Sequence, residues 1–163
     1  MKRTPLIALA LAALTAAPVQ AQEQTVTDSY DQGDWWGLDV TGEGVGSGDT
    51  VILVNGEAVR TGDRAELQAF LIYREPKPSG VTGSRSSVII DCAARTQSAA
   101  KRSNFYAALR MRELSTAASA PTAIEPASAL YRFACTGSRR YATHFGQGSR
   151  TRIAAGAFSR YHH

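Results

Sequence analysis

Residues 86–92, whose sequence is SSVIIDC, are a short apolar run between polar residues that, as a strand, would alternate between two faces. With a period of two, this alternation places Val88 and Cys92 on the same face of a β-strand. Residues 126–135 instead carry alanine and leucine at helical spacing, and this stretch ends at Cys135. The two patterns predict a strand and a helix that each carry one cysteine beside an apolar face, which suggests a disulfide between two layers. The alternative is a pair of free, buried thiols.

The same kind of pattern predicts further strands. They lie at residues 35–40, 50–54, 65–73 and 103–111. In the first of them Trp35 and Trp36 point to opposite faces, and we expect Trp36 to be the core residue. Asn55 and Gly56 follow the second strand and are typical of a tight turn. Five or six antiparallel strands followed by one helix predict an α+β fold, with the helix on the face that Cys92 occupies.

Four segments are expected along the chain. They are a signal peptide (residues 1–21), a flexible acidic N-terminus (22–34), the folded domain (35–137) and a basic, disordered tail (138–163). The first segment joins basic residues to an apolar run and then to small residues before a cleavage point, as secretory signals do. No later apolar run is long enough to span a membrane. We therefore expect a periplasmic or secreted protein with no integral membrane segment after cleavage.

Charge is distributed unevenly along the mature chain. Residues 22–75 hold 11 acidic and 3 basic side chains, whereas residues 76–163 hold 3 acidic and 13 basic ones. The two halves should attract each other in the folded protein, so the overall net charge of +4 is by itself weak support for an anionic partner. The mature length of about 140 residues fits one domain. An exported compartment is oxidising, which favours a disulfide over free thiols.

Little in the sequence indicates catalysis. All three histidines, His144, His162 and His163, lie in the predicted tail, so the predicted domain has none to act as a base near neutral pH. The Gly-x-Ser-x-Gly and His-Glu-x-x-His motifs are missing. Carboxylates such as Asp91 and Glu113 leave a small hydrolase as an alternative. We expect a non-enzymatic protein with no metal site and no cofactor.

Two short motifs surround the two cysteines. An Asp-Cys pair ends the apolar strand at Cys92, and a Pro-x-Ser at residues 126–128 precedes the helix that ends in Cys135. Together they resemble the surface-adhesin protein E family of bacterial envelope proteins, over residues 35–137. The resemblance implies a six-stranded antiparallel sheet whose C-terminal helix is tethered by a bridge between these two cysteines. It also implies binding of host matrix proteins or haem at a bacterial surface, although this chain has no cysteine at the predicted cleavage point to carry a lipid.

We expect a binding domain at the bacterial envelope that contacts host or envelope macromolecules. Its contact surface would be an exposed aromatic patch of Trp35, Phe70 and Tyr106, on the sheet face opposite the helix. Export makes nucleic acid an unexpected partner, and an open sheet edge is compatible with a homodimer.

The alternative function is electrostatic. Basic residues of the tail would bind anionic envelope polymers, and such binding would weaken with salt. The arginines concerned are Arg139, Arg140, Arg150 and Arg152.

Overall fold

The computed structural model describes residues 23–25, 32–38 and 50–160. Within these ranges nine strands form one sheet. The strands are β1 (Glu23–Thr25), β2 (Gln32–Leu38), β3 (Thr50–Thr61), β4 (Arg64–Tyr73), β5 (Val81–Asp91), β6 (Thr96–Tyr106), β7 (Arg110–Ser115), β8 (Thr122–Ala123) and β9 (Ala142–Ser149). The helices are α1 (Ala129–Tyr131), which continues as a π-helical turn (Arg132–Thr136), and α2 (Arg150–Arg160). We call residues 129–136 the Cys135 helix.

The strands pair antiparallel throughout the described sheet. Eight of them follow the order β1-β7-β6-β5-β4-β3-β2-β9, and the two-residue strand β8 pairs with the start of β6. The predicted antiparallel sheet with a C-terminal helix is therefore confirmed. The predicted number of five or six strands is too small, chiefly because β1 and β9 lie outside the segment that was expected to fold.

Both faces of the sheet are apolar at its centre, because successive side chains of each central strand point to opposite sides. One face, which we call the α2 face, packs against α2. Its core residues are Trp35, Val51, Leu53, Phe70, Phe105 and Met111, with Ala154, Ala157 and Phe158 of the helix. The other face, which we call the disulfide face, packs against the Cys135 helix. Its core includes Leu38, Val54, Leu67, Val88 and Ile90, with Phe133, Ala134 and Cys135. The sheet is thus the middle of three layers.

The Cys135 helix is joined covalently to the sheet. Cys92 follows β5 and forms a disulfide with Cys135, with the two Cα atoms 5.6 Å apart. The predicted disulfide is confirmed. Ser128 caps the helix because its hydroxyl accepts a hydrogen bond from the Tyr131 N–H at 3.2 Å. The helix therefore begins at Ala129, three residues after the proline that was expected to start it. It ends at Gly137, whose φ of +70° is a left-handed conformation that favours glycine.

The tail is folded, so the expectation that residues 138–163 are disordered is wrong for residues 142–160. β9 forms a ladder with β2, and α2 follows it directly. In α2, Ala154, Ala157 and Phe158 recur at helical spacing and are buried on the α2 face. The composition predicted disorder because two of these three residues are small alanines and β9 has no regular apolar alternation.

The expected flexible N-terminus is also partly ordered. Residues 23–25 form β1 at the edge of the sheet beside β7, and residues 32–34 begin β2. Pairing with neighbouring strands satisfies the backbone of these polar residues, which their composition does not reveal. The predicted signal peptide, residues 1–21, lies outside the described residues.

The predicted strand at residues 103–111 is confirmed at its two ends, in β6 and β7, and is wrong at residues 107–109. β6 begins at Thr96 and ends at Tyr106, and a 3₁₀ turn (Ala107–Leu109) then reverses the chain into β7. Ala108 has φ of +58°, which interrupts any extended strand at this point.

The predicted tight turn at Asn55 and Gly56 is wrong as well. β3 continues through both residues to Thr61, with a bulge in its pairing to β4. The Asn55 side-chain oxygen accepts a hydrogen bond from the Asp34 N–H at 3.1 Å. Asn55 therefore binds the backbone of the neighbouring strand β2 and does not form a turn.

Candidate functional site

The loop after the Cys135 helix brings two arginines to one aromatic ring. The Cζ atom of Arg132 lies 5.1 Å from the ring centroid of Tyr141, and the Cζ atom of Arg140 lies 5.4 Å from the same centroid. Both distances are typical of cation–π contacts. The local chain produces this arrangement because Gly137 ends the helix and the Ala142 N–H then donates to the carbonyl oxygen of residue 139 at 3.1 Å.

A third arginine connects this loop to the sheet. The guanidinium of Arg139 forms an ion pair with Glu57 and donates a hydrogen bond to the Phe133 carbonyl oxygen at 3.1 Å. Its Cζ atom also lies 3.9 Å from the Phe133 ring centroid and 5.0 Å from that of Trp36. These contacts hold Arg139 in place, and Glu57 compensates its charge.

Trp36 connects these arginines and aromatic rings to the edge strand β9. Its ring stacks on that of His144, with centroids 4.3 Å apart and planes 22° apart. The Nε2 atom of His144 lies 2.8 Å from Oδ1 of Asp34. A register shift in the pairing of β2 with β9 places His144 directly across from Trp36. The His144 side chain is 48% exposed, so this pair lies at the solvent side of the group.

We call this group the arginine–aromatic cluster. Its members are Arg132, Arg139, Arg140, Trp36, Tyr141 and His144.

Arg132 and Arg140 differ from Arg139 in their charge environment. Neither of them forms an ion pair with any residue that the structure describes. Arg140 is exposed and Arg132 is partly buried. A guanidinium that lies against an aromatic ring keeps the N–H groups at its edge for a carboxylate or phosphate. The cluster can therefore bind anionic groups, with two cations in contact with the ring of Tyr141.

The expected exposed aromatic patch is wrong for two of its three residues. Trp35 and Phe70 do lie together on the face opposite the Cys135 helix, with ring centroids 5.1 Å apart. However, they are only 0% and 4% exposed, because α2 covers them. Tyr106 is half-buried at the end of β6, where the Cζ atom of Arg110 lies 6.0 Å from its ring centroid.

The predicted tail arginines separate into different environments. Arg139 and Arg140 both belong to the arginine–aromatic cluster. Arg150 is the first residue of α2 and is 6% exposed, with its Cζ atom 4.1 Å from the Phe105 ring centroid. Arg152 is exposed on α2 and is not part of the cluster. The structure therefore brings together only two of the four predicted arginines.

Sequence reasoning missed Arg132, Trp36 and Tyr141 as members of one site. The interleaving of arginine with aromatic residues after position 137 was a signal for Tyr141. Trp36 comes from a strand about a hundred residues earlier, and only the pairing of β2 with β9 brings it near the loop.

Two further findings concern metal binding and membrane crossing in the described ranges. They contain no group of three or more histidine, cysteine, aspartate or glutamate side chains that could hold a metal ion. None of the helices in those ranges combines the length and the apolar character that crossing a membrane requires.

The chain was compared with family models, with curated proteins and with solved structures, and nothing matches in any of the three comparisons. The resemblance to the surface-adhesin protein E family thus stays a prediction.

Proposed function

We propose that this chain is an exported, non-enzymatic binding domain at the bacterial envelope, and that it contacts anionic envelope polymers through the arginine–aromatic cluster. The observation that carries the proposal is the contact of Arg132 and Arg140 with the single ring of Tyr141, with no described acidic side chain paired to either arginine. Two cations in contact with one ring favour ligands with repeated carboxylate or phosphate groups.

The disulfide supports export. A bridge between Cys92 and Cys135 persists in oxidising compartments and is rare in the cytosol. The basic and apolar N-terminal residues predict a signal peptide, after which the mature chain starts at Gln22.

The surroundings of the His144–Asp34 pair support a role without catalysis. His144 bonds to Asp34 and stacks on Trp36, and no hydrogen bond joins it to a serine, threonine or cysteine of the described chain. The pair therefore resembles a structural contact of the cluster more than an activated nucleophile. The resemblance to an adhesin family agrees with a binding role.

The proposal is tested by binding of the oxidised protein to alginate, a carboxylated polysaccharide, with neutral dextran as the control polymer. The double variant Arg132→Gln with Arg140→Gln removes both cations that contact Tyr141. We expect it to bind alginate about 5- to 30-fold more weakly at low salt, since two cations contribute roughly 1–2 kcal/mol together. The matched control is Arg102→Gln with Arg152→Gln, which makes the same change of charge at two exposed positions outside the cluster. It should weaken binding less than about threefold.

Two results would contradict the proposal. One is equal binding of alginate and dextran by the original protein. The other is an equal loss of alginate binding in both double variants, because that would reflect the net charge and not the cluster. Circular dichroism of each variant confirms that it has folded.

A further inference from the structure

A cavity of about 260 Å³ lies on the disulfide face, where Leu130 of the Cys135 helix meets strands β2 to β5. Its lining is apolar apart from two serines, Ser84 and Ser86. Among the residues that the structure describes, no charged side chain lines it, and no member of the arginine–aromatic cluster does. The cavity is therefore a separate candidate site, and an inference about it does not depend on the proposed function.

The register of the sheet explains why a hollow forms here. Leu71 of β4 lies between Ile52 of β3 and Ser84 of β5, and each of them is directly opposite it. In the next row, Ala69 lies directly opposite Ser86. Residues that are opposite each other in neighbouring strands project from the same face of the sheet. Because Ala69 and Ser86 are both small, their row leaves space beside the longer side chains of Ile52 and Leu71.

A ligand can reach both the apolar wall and the hydroxyls of this cavity. Ile52, Leu71 and Leu130 are partly exposed, and so are the two serines. Neither serine hydroxyl forms a hydrogen bond with a residue that the structure describes. A hydroxyl has one donor and two acceptor sites, so each serine can bond to an oxygen atom of a ligand in either sense.

We propose that this cavity binds a small neutral compound with an apolar ring or short chain and one hydroxyl or carbonyl group. The polar group bonds to Ser84 and Ser86, and the apolar part lies against Ile52 and Leu71. Pockets for drug-sized ligands start at about 300 Å³, so a cavity of about 260 Å³ suits a single ring or a short aliphatic chain. A charged compound is disfavoured because the apolar walls offer no opposite charge to compensate its lost hydration.

The test uses 4-methylphenol and hexan-1-ol as probes. Toluene is the analogue of 4-methylphenol without the hydroxyl, and hexanoate is the charged counterpart of hexan-1-ol. Each compound is titrated into the ¹⁵N-labelled, oxidised protein, and the backbone amide signals are followed. We expect the two probes to shift the signals of residues 69–71 and 84–88 with a Kd of about 1 mM or tighter. Toluene should bind about threefold more weakly or worse, and hexanoate about tenfold more weakly or worse.

Three results would overturn the proposal. The first is a set of shifts located away from residues 69–71 and 84–88. The second is binding of toluene as tight as that of 4-methylphenol, because the serine hydroxyls would then contribute nothing. The third is binding of hexanoate as tight as that of hexan-1-ol, because the cavity would then not select a neutral compound.

A double variant tests the role of the two hydroxyls. Ser84→Ala with Ser86→Ala keeps the shape of the cavity and should weaken binding of 4-methylphenol about threefold or more, while binding of toluene stays the same. The control is Ser98→Ala, which removes a hydroxyl from the neighbouring strand β6 at a position that does not line the cavity. It should bind both compounds as the original protein does. Unchanged affinity of the folded double variant for 4-methylphenol contradicts the proposal.

A further variant tests the location by filling the hollow. Ala69→Leu adds three carbon atoms in the row between Val88 and Leu71, and we expect the shifts caused by hexan-1-ol to be lost while alginate binding at the cluster is kept. Retained shifts at residues 84–88 would refute the assignment. If Ala69→Leu does not fold, the serine variants still decide the question, because they only remove partly exposed hydroxyls.

Discussion

Replacement of Phe158 by alanine tests whether α2 is part of the folded domain. The Phe158 side chain is 8% exposed in the core of the α2 face, and the Arg74 guanidinium lies over its ring. Buried Phe→Ala substitutions cost about 3–5 kcal/mol, and we take about 3 because this residue lies near the end of the helix. The lost contact with Arg74 adds about 0.5–1 kcal/mol. We therefore expect Phe158→Ala to reduce the free energy of unfolding by about 3.5–4 kcal/mol.

The assay is equilibrium unfolding in urea, followed by tryptophan fluorescence, because Trp35 lies in the same core cluster as Phe158. With an m-value of about 1.5–2 kcal/mol per molar urea, the midpoint should fall by about 2 M. The control is Leu114→Ala, which shortens an apolar side chain that is 54% exposed and should change stability by no more than about 0.5 kcal/mol. If Phe158→Ala shifts the midpoint no more than Leu114→Ala does, α2 does not pack on the sheet and the reasoning is refuted.

Two other substitutions test the remaining parts of the fold. Replacing Cys92 and Cys135 together by serine removes the constraint on a loop of 43 residues and should cost about 4 kcal/mol in urea unfolding, and the original protein should lose a similar amount under reductant. A loss below about 1 kcal/mol would show that the bridge constrains the unfolded chain little. Gly137→Ala should cost about 1 kcal/mol because of its φ of +70°, whereas Gly156→Ala within α2 should stabilise by about 0.5–1 kcal/mol, since neither added Cβ meets an atom within 4 Å. Shifts of the same sign in both glycine variants would contradict the assigned backbone conformations.

The parts of the fold that the sequence predicted are those with strong local periodicity. Val88 and Ile90 are two residues apart in an apolar run, and both lie on the disulfide face beside Cys135, as expected. β4 likewise covers the predicted strand, with Leu67 and Phe70 on opposite faces. In these stretches the apolar residues of the sequence are the ones that become buried, so the local sequence is enough to predict the strand.

The parts that could not be predicted depend on distant pairing. β9 has a composition of small and polar residues, and it is ordered by its ladder with β2. Once β9 is in place, α2 follows it onto the sheet, and this explains why Trp35 is buried and not exposed. No local pattern near Trp35 contains this information.

In the candidate site, too, the local features were predicted from the sequence and the long-range contacts were not. Arg139 and Arg140 were predicted because they are adjacent basic residues in a basic segment. Their relation to Trp36 depends on a bulge that aligns it with His144, and on an ion pair between residues 57 and 139. Register and long-range ion pairs follow from the assembled sheet, so the sequence could suggest the charge of the site but not its aromatic partners.

The most direct test of the proposed function is a titration of the ¹⁵N-labelled protein with an alginate oligosaccharide, observed at the arginine Nε–H and tryptophan indole signals. We predict shifts at Arg132, Arg140 and Trp36 that diminish as salt is raised, with Arg152 unchanged. Shifts that are largest at Arg152, or absent at Arg132 and Arg140 while the oligosaccharide binds, would contradict the account.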